Sequence, residues 1–379
     1  MKTAAFKIIL ILVFLASFNN VFSNIVPDTI TSIPEQDLRI NQAENPQFYY
    51  DKGMSFHKMH DYLKAEEAFL KASELAEKSK EKEILSSSFH YLGNIESWKS
   101  NFELSIYYHS KARDLFRVLK DSEYEALSNN QVSFGYASLG EYDSSLVYYQ
   151  MNIQNRAFIK ADYTVLNSYR GIAATYARLY NYKLAYRYLQ EGIEYAEETG
   201  NKQSLGELYY TAGNLFLNNH VNKDIALEYL LEAQKIFKED YNYRYLNMVR
   251  LSIGDVHFKT GSDSMAMQLY EEVNTKLYPD DYAMHSLVDH KIAMVYKSRK
   301  DYDKALRYFQ RSINGMCLIC PEIQIHQTLI EAARTSLITG DYEQAYYYLN
   351  RSRNIAAESE SGLEKAISLK ELGEYYQFL

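Results

Sequence analysis

The chain has 379 residues, 47% of them hydrophobic, with 37 Tyr against 15 Gly and 5 Pro. Forty-one Lys and Arg face 49 Asp and Glu, a net charge of −8 that disfavours nucleic acid or an anionic membrane surface as an electrostatic partner. Two cysteines are too few for a disulfide scaffold.

In chain order, residues 1–23 have the pattern of a secretory signal: Lys2 and Lys7, an apolar run from Ile8 to Leu15, then Val21-Phe22-Ser23 before a cut at Asn24. The run is too short to cross a bilayer, which takes about 20 residues. An uncleaved anchor is the rival reading. No later stretch is apolar enough to span, so the mature chain is expected to be exported, periplasmic and without a membrane span. Residues 24–45, with Pro27 and Pro34 and no helical period, form a flexible leader. Pro46 suits the first turn of a helix, where its missing N–H costs nothing.

From 46 to 379 one phrase recurs, clearest as Asp301-Tyr302-Asp303-Lys304-Ala305-Leu306-Arg307-Tyr308-Phe309. Its small central residue falls at Ala65, Ser105, Ser145, Ala185, Ala226, Ala266, Ala305 and Ala345, in steps of 39 to 41. About twelve residues upstream of each lies a second small residue: Gly53, Gly93, Ser133, Ala173, Gly213, Gly254, Ala293 and Ala333, with Gly373 one step on. Apolar residues around both ladders recur at i, i+3, i+4 and i+7, so each copy reads as two helices. Small residues let the two axes approach, and a bulky residue four positions on fills the groove beside them.

These features resemble the tetratricopeptide repeat, in an extended form of about 40 residues. The Asp-Tyr or Asn-Tyr turn and the paired small-residue ladder argue against HEAT or armadillo arrays of similar period. The resemblance implies an all-α, right-handed superhelical solenoid of antiparallel helix pairs: eight full pairs and a half repeat at 366–379. Copies three and eight depart most, with Ser133 and Asn152, then Ser336 and Ser352. The final Tyr375 to Leu379 stops short of a second helix, which we read as a chain that continues beyond Leu379 rather than a lone cap.

No nucleophile elbow, phosphate loop, Ser-His-Asp order or paired carboxylate stands out, so neither catalysis nor a cofactor is expected. Cys317 and Cys320 lie in a loop before Pro321, with no βαβ context for redox work, and read as a possible local disulfide. His57 with His60, and His285 with His290, lack carboxylates at ligand spacing, so no metal is expected. The family resemblance places ligands on the concave face, lined by the first helix of each pair. Carried copy by copy, its groove positions are Tyr50, Met54, His57, His90, Asn94, Trp98, Asn130, Phe134, Arg170 and Arg178, then Tyr210, Asn214, Asn218, Asp255, Phe258, His290, Met294, Lys297 and Arg334. Asn can bond a peptide backbone in both directions, and aromatics supply anchor area. Asn94 and Asn214 sit where the family's carboxylate clamp has Asn, but Ser87, His90 and Glu207 replace its cations, so the clamp is not supported. The expected partner is a peptide or protein segment. The expected context is a sensor or scaffold module like the extracytoplasmic regions of Bacteroidota regulators, with a free periplasmic adaptor in envelope assembly or secretion as the alternative.

Overall fold

The structure, a computed structural model, describes residues 44–218, 222–279, 281–316, 326–358 and 362–378. Among them are seventeen α-helices and no strand. The first three pairs are α1 (Pro46–Lys58) with α2 (Tyr62–Ser79), α3 (Lys82–Trp98) with α4 (Phe102–Leu119), and α5 (Ser122–Leu139) with α6 (Tyr142–Gln154). The next three are α7 (Asp162–Arg178) with α8 (Tyr182–Thr199), α9 (Lys202–Asn218) with α10 (Lys223–Glu239), and α11 (Tyr243–Lys259) with α12 (Asp263–Lys276). Then come α13 (Tyr282–Ser298) with α14 (Tyr302–Met316), α15 (His326–Thr339) with α16 (Tyr342–Glu358), and α17 (Gly362–Phe378). Each helix packs on the next, and first helices of successive pairs also touch, giving the all-helical solenoid that the period implied. Residues 1–43, where a signal and most of a leader were expected, and Cys317 to Pro321 lie outside the described residues.

The small-residue ladders are the hairpin contacts. Ala65, Ala185, Ala226, Ala266, Ala305 and Ala345 are wholly buried, as are Ser145 and, nearly, Ser105. Against the first ladder rests the side chain four residues past the second. A Cβ on Gly53 would stand 2.7 Å from the Phe69 ring, and one on Gly213 would stand 2.6 Å from Leu230. Ordinary Cβ contacts are not that close, so in these copies the first helix yields its own side chain to admit the second. Gly93 does the same for His109, and Gly254 for Tyr270. Gly373 keeps the register, but a Cβ there would meet nothing within 4 Å.

In four of the pairs, aromatics three residues beyond the two small residues pair across the hairpin. Tyr136 stacks on Tyr148 at 5.8 Å, Tyr176 on Tyr188 at 5.7 Å, Phe216 on Tyr229 at 5.9 Å and Tyr296 on Tyr308 at 5.5 Å. Such pairs keep the ring flat on the solenoid and the hydroxyl near water.

In seven of the hairpins the described turn is built alike. Its left-handed residue falls at His60, Ser100, Gly140, Tyr180, Gly261, Lys300 and Gly340, with φ between 57° and 83°. In four of these turns the side chain of the next residue caps the second helix: the carboxylate of Asp61 accepts from the Lys64 amide, and that of Asp341 from the Gln344 amide at 3.0 Å, with Asn181 and Asp301 alike. The Asp-Tyr signature is therefore a cap followed by the first helical residue. The third pair departs where the sequence does. α6 is only 13 residues long and gives way to a 3₁₀ turn at Arg156–Phe158. Asn152 is buried in place of Ala, donating to the Ala126 carbonyl, to Asn130 Oδ1 and to Ser168 Oγ.

Left-handed backbone favours glycine, so Gly340→Ala should cost about 1 kcal/mol and Tyr180→Gly should cost nothing or gain a little. Paired urea melts of the two variants measure both, and an Ala variant as stable as the parent would contradict this turn geometry.

Candidate functional site

The first helices line the inner face, and the structure shows how few of their polar groups are left over. Lys297 on α13 reaches Glu331 on α15 at 2.7 Å; Arg334, one turn on, bonds Glu331 at 2.8 Å and Glu371 on α17 at 3.0 Å. Asp255 on α11 takes Lys291 on α13 at 2.6 Å and the Tyr270 hydroxyl at 2.6 Å. Arg170 on α7 pairs with Glu207 on α9, and burial lowers its pKa. Asn130 on α5 donates to the Thr164 carbonyl on α7 at 2.9 Å and accepts from Ser168 at 2.6 Å. Lys297–Glu331, Arg334–Glu371, Asp255–Lys291, Arg170–Glu207 and the Asn130 bonds each join one repeat to the next, while Arg334–Glu331 lies within α15 and Asp255–Tyr270 within one hairpin. The bonds between repeats are cross-ties of the solenoid, and those side chains hold the inner face together before any ligand arrives.

Other groove candidates are sheltered. His57 sits edge-on to Tyr62 and Tyr91 at 5.5 and 5.3 Å. Tyr50 packs on Phe69 at 5.8 Å, and burial pushes its phenol up to about 12. His90 faces the fully buried His109 at 5.2 Å, and burial pulls His90 down to about 4 and His109 well below its usual value. His290, bonded to Thr328 at 3.0 Å, is likewise pulled to about 4 by burial. Tyr210, Phe258 and Met294 pack on core clusters, and Met54 on the first one. Asn214 bonds the Tyr210 carbonyl of its own helix at 3.0 Å. Trp98 lies half-exposed on Tyr62 at 4.7 Å, beside the half-buried Asn94. The side chain of Asn218 lies outside what is described. No three His, Cys, Asp or Glu gather as metal ligands among the described residues.

A cleft opens on the inner face, a cavity of about 420 Å³ where α5, α7 and α9 meet. Its cause is a single position. One residue past the first small residue stand Met54, Asn94, Phe134, Asn214, Asp255, Met294 and Arg334, but in the fourth copy Ala174. Gly171, one turn earlier, lies directly over the Tyr149 ring of the preceding repeat, where a Cβ would clash. The floor is therefore low, and Phe134, Gln131, Asn167, Arg170 and Arg178 stand around it. Phe134 is 44% exposed, held edge-to-face by Phe102 at 6.1 Å. Arg178 Nη1 donates to the Ala137 carbonyl at 2.8 Å, and the rest of its exposed guanidinium stays open. Of the expected groove residues, the fold brings Asn130, Phe134, Arg170 and Arg178 to this cleft. Gln131, Asn167 and Ala174 were not foreseen, although Ala174 is the one small residue in its column.

The helix-hairpin stack with a ligand-sized cleft on its inner face defines a repeat scaffold. The chain carries tetratricopeptide repeats: the family model described as "Tetratricopeptide repeat" matches residues 46–79 and 290–314. No curated protein matches it in sequence. Among solved structures, a Rap protein complexed with competence and sporulation factor is similar at 16% identity and TM-score 0.55, covering 85% of this chain and 96% of that one. NprR in complex with its cognate peptide NprX is similar at 14% identity and TM-score 0.53, covering 75% and 85%. A signal transduction ATPase from Pyrococcus horikoshii with a tetratricopeptide repeat sensor is similar at 17% identity and TM-score 0.53. The match covers 82% of this chain but only 52% of that one. At these identities the likeness is one of fold.

The buried imidazoles give a pH dependence. They stay neutral when folded, whereas an unfolded chain protonates them near pH 6.5. Stability is thus complete above about 6.5 and is lost as pH falls from there towards about 4. Thermal midpoints should decline across that window, and a His90→Leu/His109→Leu double variant should decline less; an unchanged slope in the double variant would contradict the assignment.

Proposed function

We propose that this chain is an exported, non-enzymatic binding protein that holds a peptide or an extended protein segment against the inner face of its solenoid, at the α5–α7–α9 cleft, as the sensor or scaffold module of a signalling protein. The observation that carries this reading is the cleft itself. Polar side chains elsewhere on the inner face are largely committed to neighbouring repeats, whereas here Gln131, Asn167 and Arg178 keep open valences around the exposed Phe134. Amide side chains satisfy both edges of an extended backbone, and a partly exposed aromatic gives it an anchor. Two further facts support the reading. NprR, a protein of the same fold, has been solved with its cognate peptide. No described helix is long and apolar enough to cross a membrane. Export rests on the pattern of residues 1–23, outside the described structure.

Ala174 offers a clean test because it is exposed and makes no core contact. Ala174→Trp should fill the cleft and reduce binding of a randomised synthetic octapeptide pool at least tenfold, while helicity and thermal midpoint stay as in the parent. Equal peptide binding by parent and variant, measured by fluorescence anisotropy, would remove the cleft as the site.

A further inference from the structure

Resting on that reading, we infer that the peptide held in the cleft presents a carboxylate, and that Arg178 is the residue that takes it. The charge around the cleft sets it apart from the rest of the chain. The chain as a whole carries a net −8, yet two guanidiniums and no carboxylate line this cleft. Arg170 is already neutralised by Glu207, which stands behind it on α9. Arg178 has no carboxylate within ion-pair distance among the described residues; one of its nitrogens is fixed by the Ala137 carbonyl at 2.8 Å. That single bond orients the planar group without discharging it, leaving donors for a two-pronged contact with a carboxylate. A net-acidic protein that leaves an oriented guanidinium without a carboxylate partner beside this cleft is set to attract an anion there. Gln131, Asn167 and Phe134 alongside suit a peptide as the bearer of that anion. The carboxylate comes from an Asp or Glu side chain or from the peptide's own C-terminus, and the experiment separates these.

Three randomised octapeptide pools carrying a neutral fluorophore serve as probes. The first contains Asp and Glu but ends in an amide, the second lacks acidic residues but has a free C-terminus, and the third has neither. The parent protein should bind the first or the second pool about tenfold or more tighter than the third, as expected for a charge-assisted hydrogen-bonded pair. Arg178→Gln should bring that pool down to the level of the third, and Arg178→Lys should keep part of the preference. Preference for the first pool assigns the anion to a side chain, and for the second to the terminus. Equal binding of all three pools, or a preference that survives Arg178→Gln, overturns this inference while leaving the cleft as a peptide site. No binding of any pool overturns both.

Discussion

The whole molecule depends on how closely the two helices of each hairpin approach. At Gly53 and Gly213 the first helix gives up its side chain, and Phe69 and Leu230 from the second helix occupy the space. Alanine or serine on the second helix does the reciprocal service, and these residues have no measurable exposure at Ala65, Ala185 or Ala305. A larger side chain at such a contact would overpack it by roughly 1–3 kcal/mol. Because every hairpin solves the same packing problem in nearly the same way, every hairpin has nearly the same shape, and equal shapes stack into a solenoid whose first helices face inward.

Stacking then decides what the inner face can do. Polar residues that point inward find partners one period away: Lys297 with Glu331, Arg334 with Glu371, Asp255 with Lys291. Half-buried ion pairs of this kind are costly to break from one side, since the remaining charge is left without a partner in a poorly hydrated place. They make the inner face rigid and mostly unavailable. An exception follows from a missing side chain at Ala174, whose smallness lowers the floor between α5 and α9. Rigidity elsewhere is an asset for a site of this kind, because a preformed cleft spares the ligand the cost of ordering it.

The fold was legible from the sequence because its signal is redundant. Two ladders of small residues, a recurrent Asp-Tyr turn and aromatic spacing all gave one answer, and even the irregular third hairpin was marked by Asn152 where Ala was expected. The groove was legible only as a set of inward positions. Nothing in the sequence of one helix shows that Arg170 is spoken for by Glu207 while Arg178 is not, since both sit at equivalent inward places on α7. That distinction depends on the neighbouring repeat's choice of residue and on its rotamer. His90 and His290 were misleading for a related reason: an inward register does not ensure exposure, and both rings are enclosed by neighbouring repeats. The column comparison that singles out Ala174 could have been made from the sequence alone, by asking which inward position changes size rather than which looks polar.

The central claim is that ligand recognition is confined to one interval of a face otherwise occupied with holding itself together. Amide hydrogen exchange of the protein, with and without a peptide retained from an octapeptide pool, tests it most directly. Added protection should be concentrated in α5, α7 and α9, with α11, α13 and α15 unchanged. Protection spread evenly along the first helices, or centred on the second helices, would contradict the account.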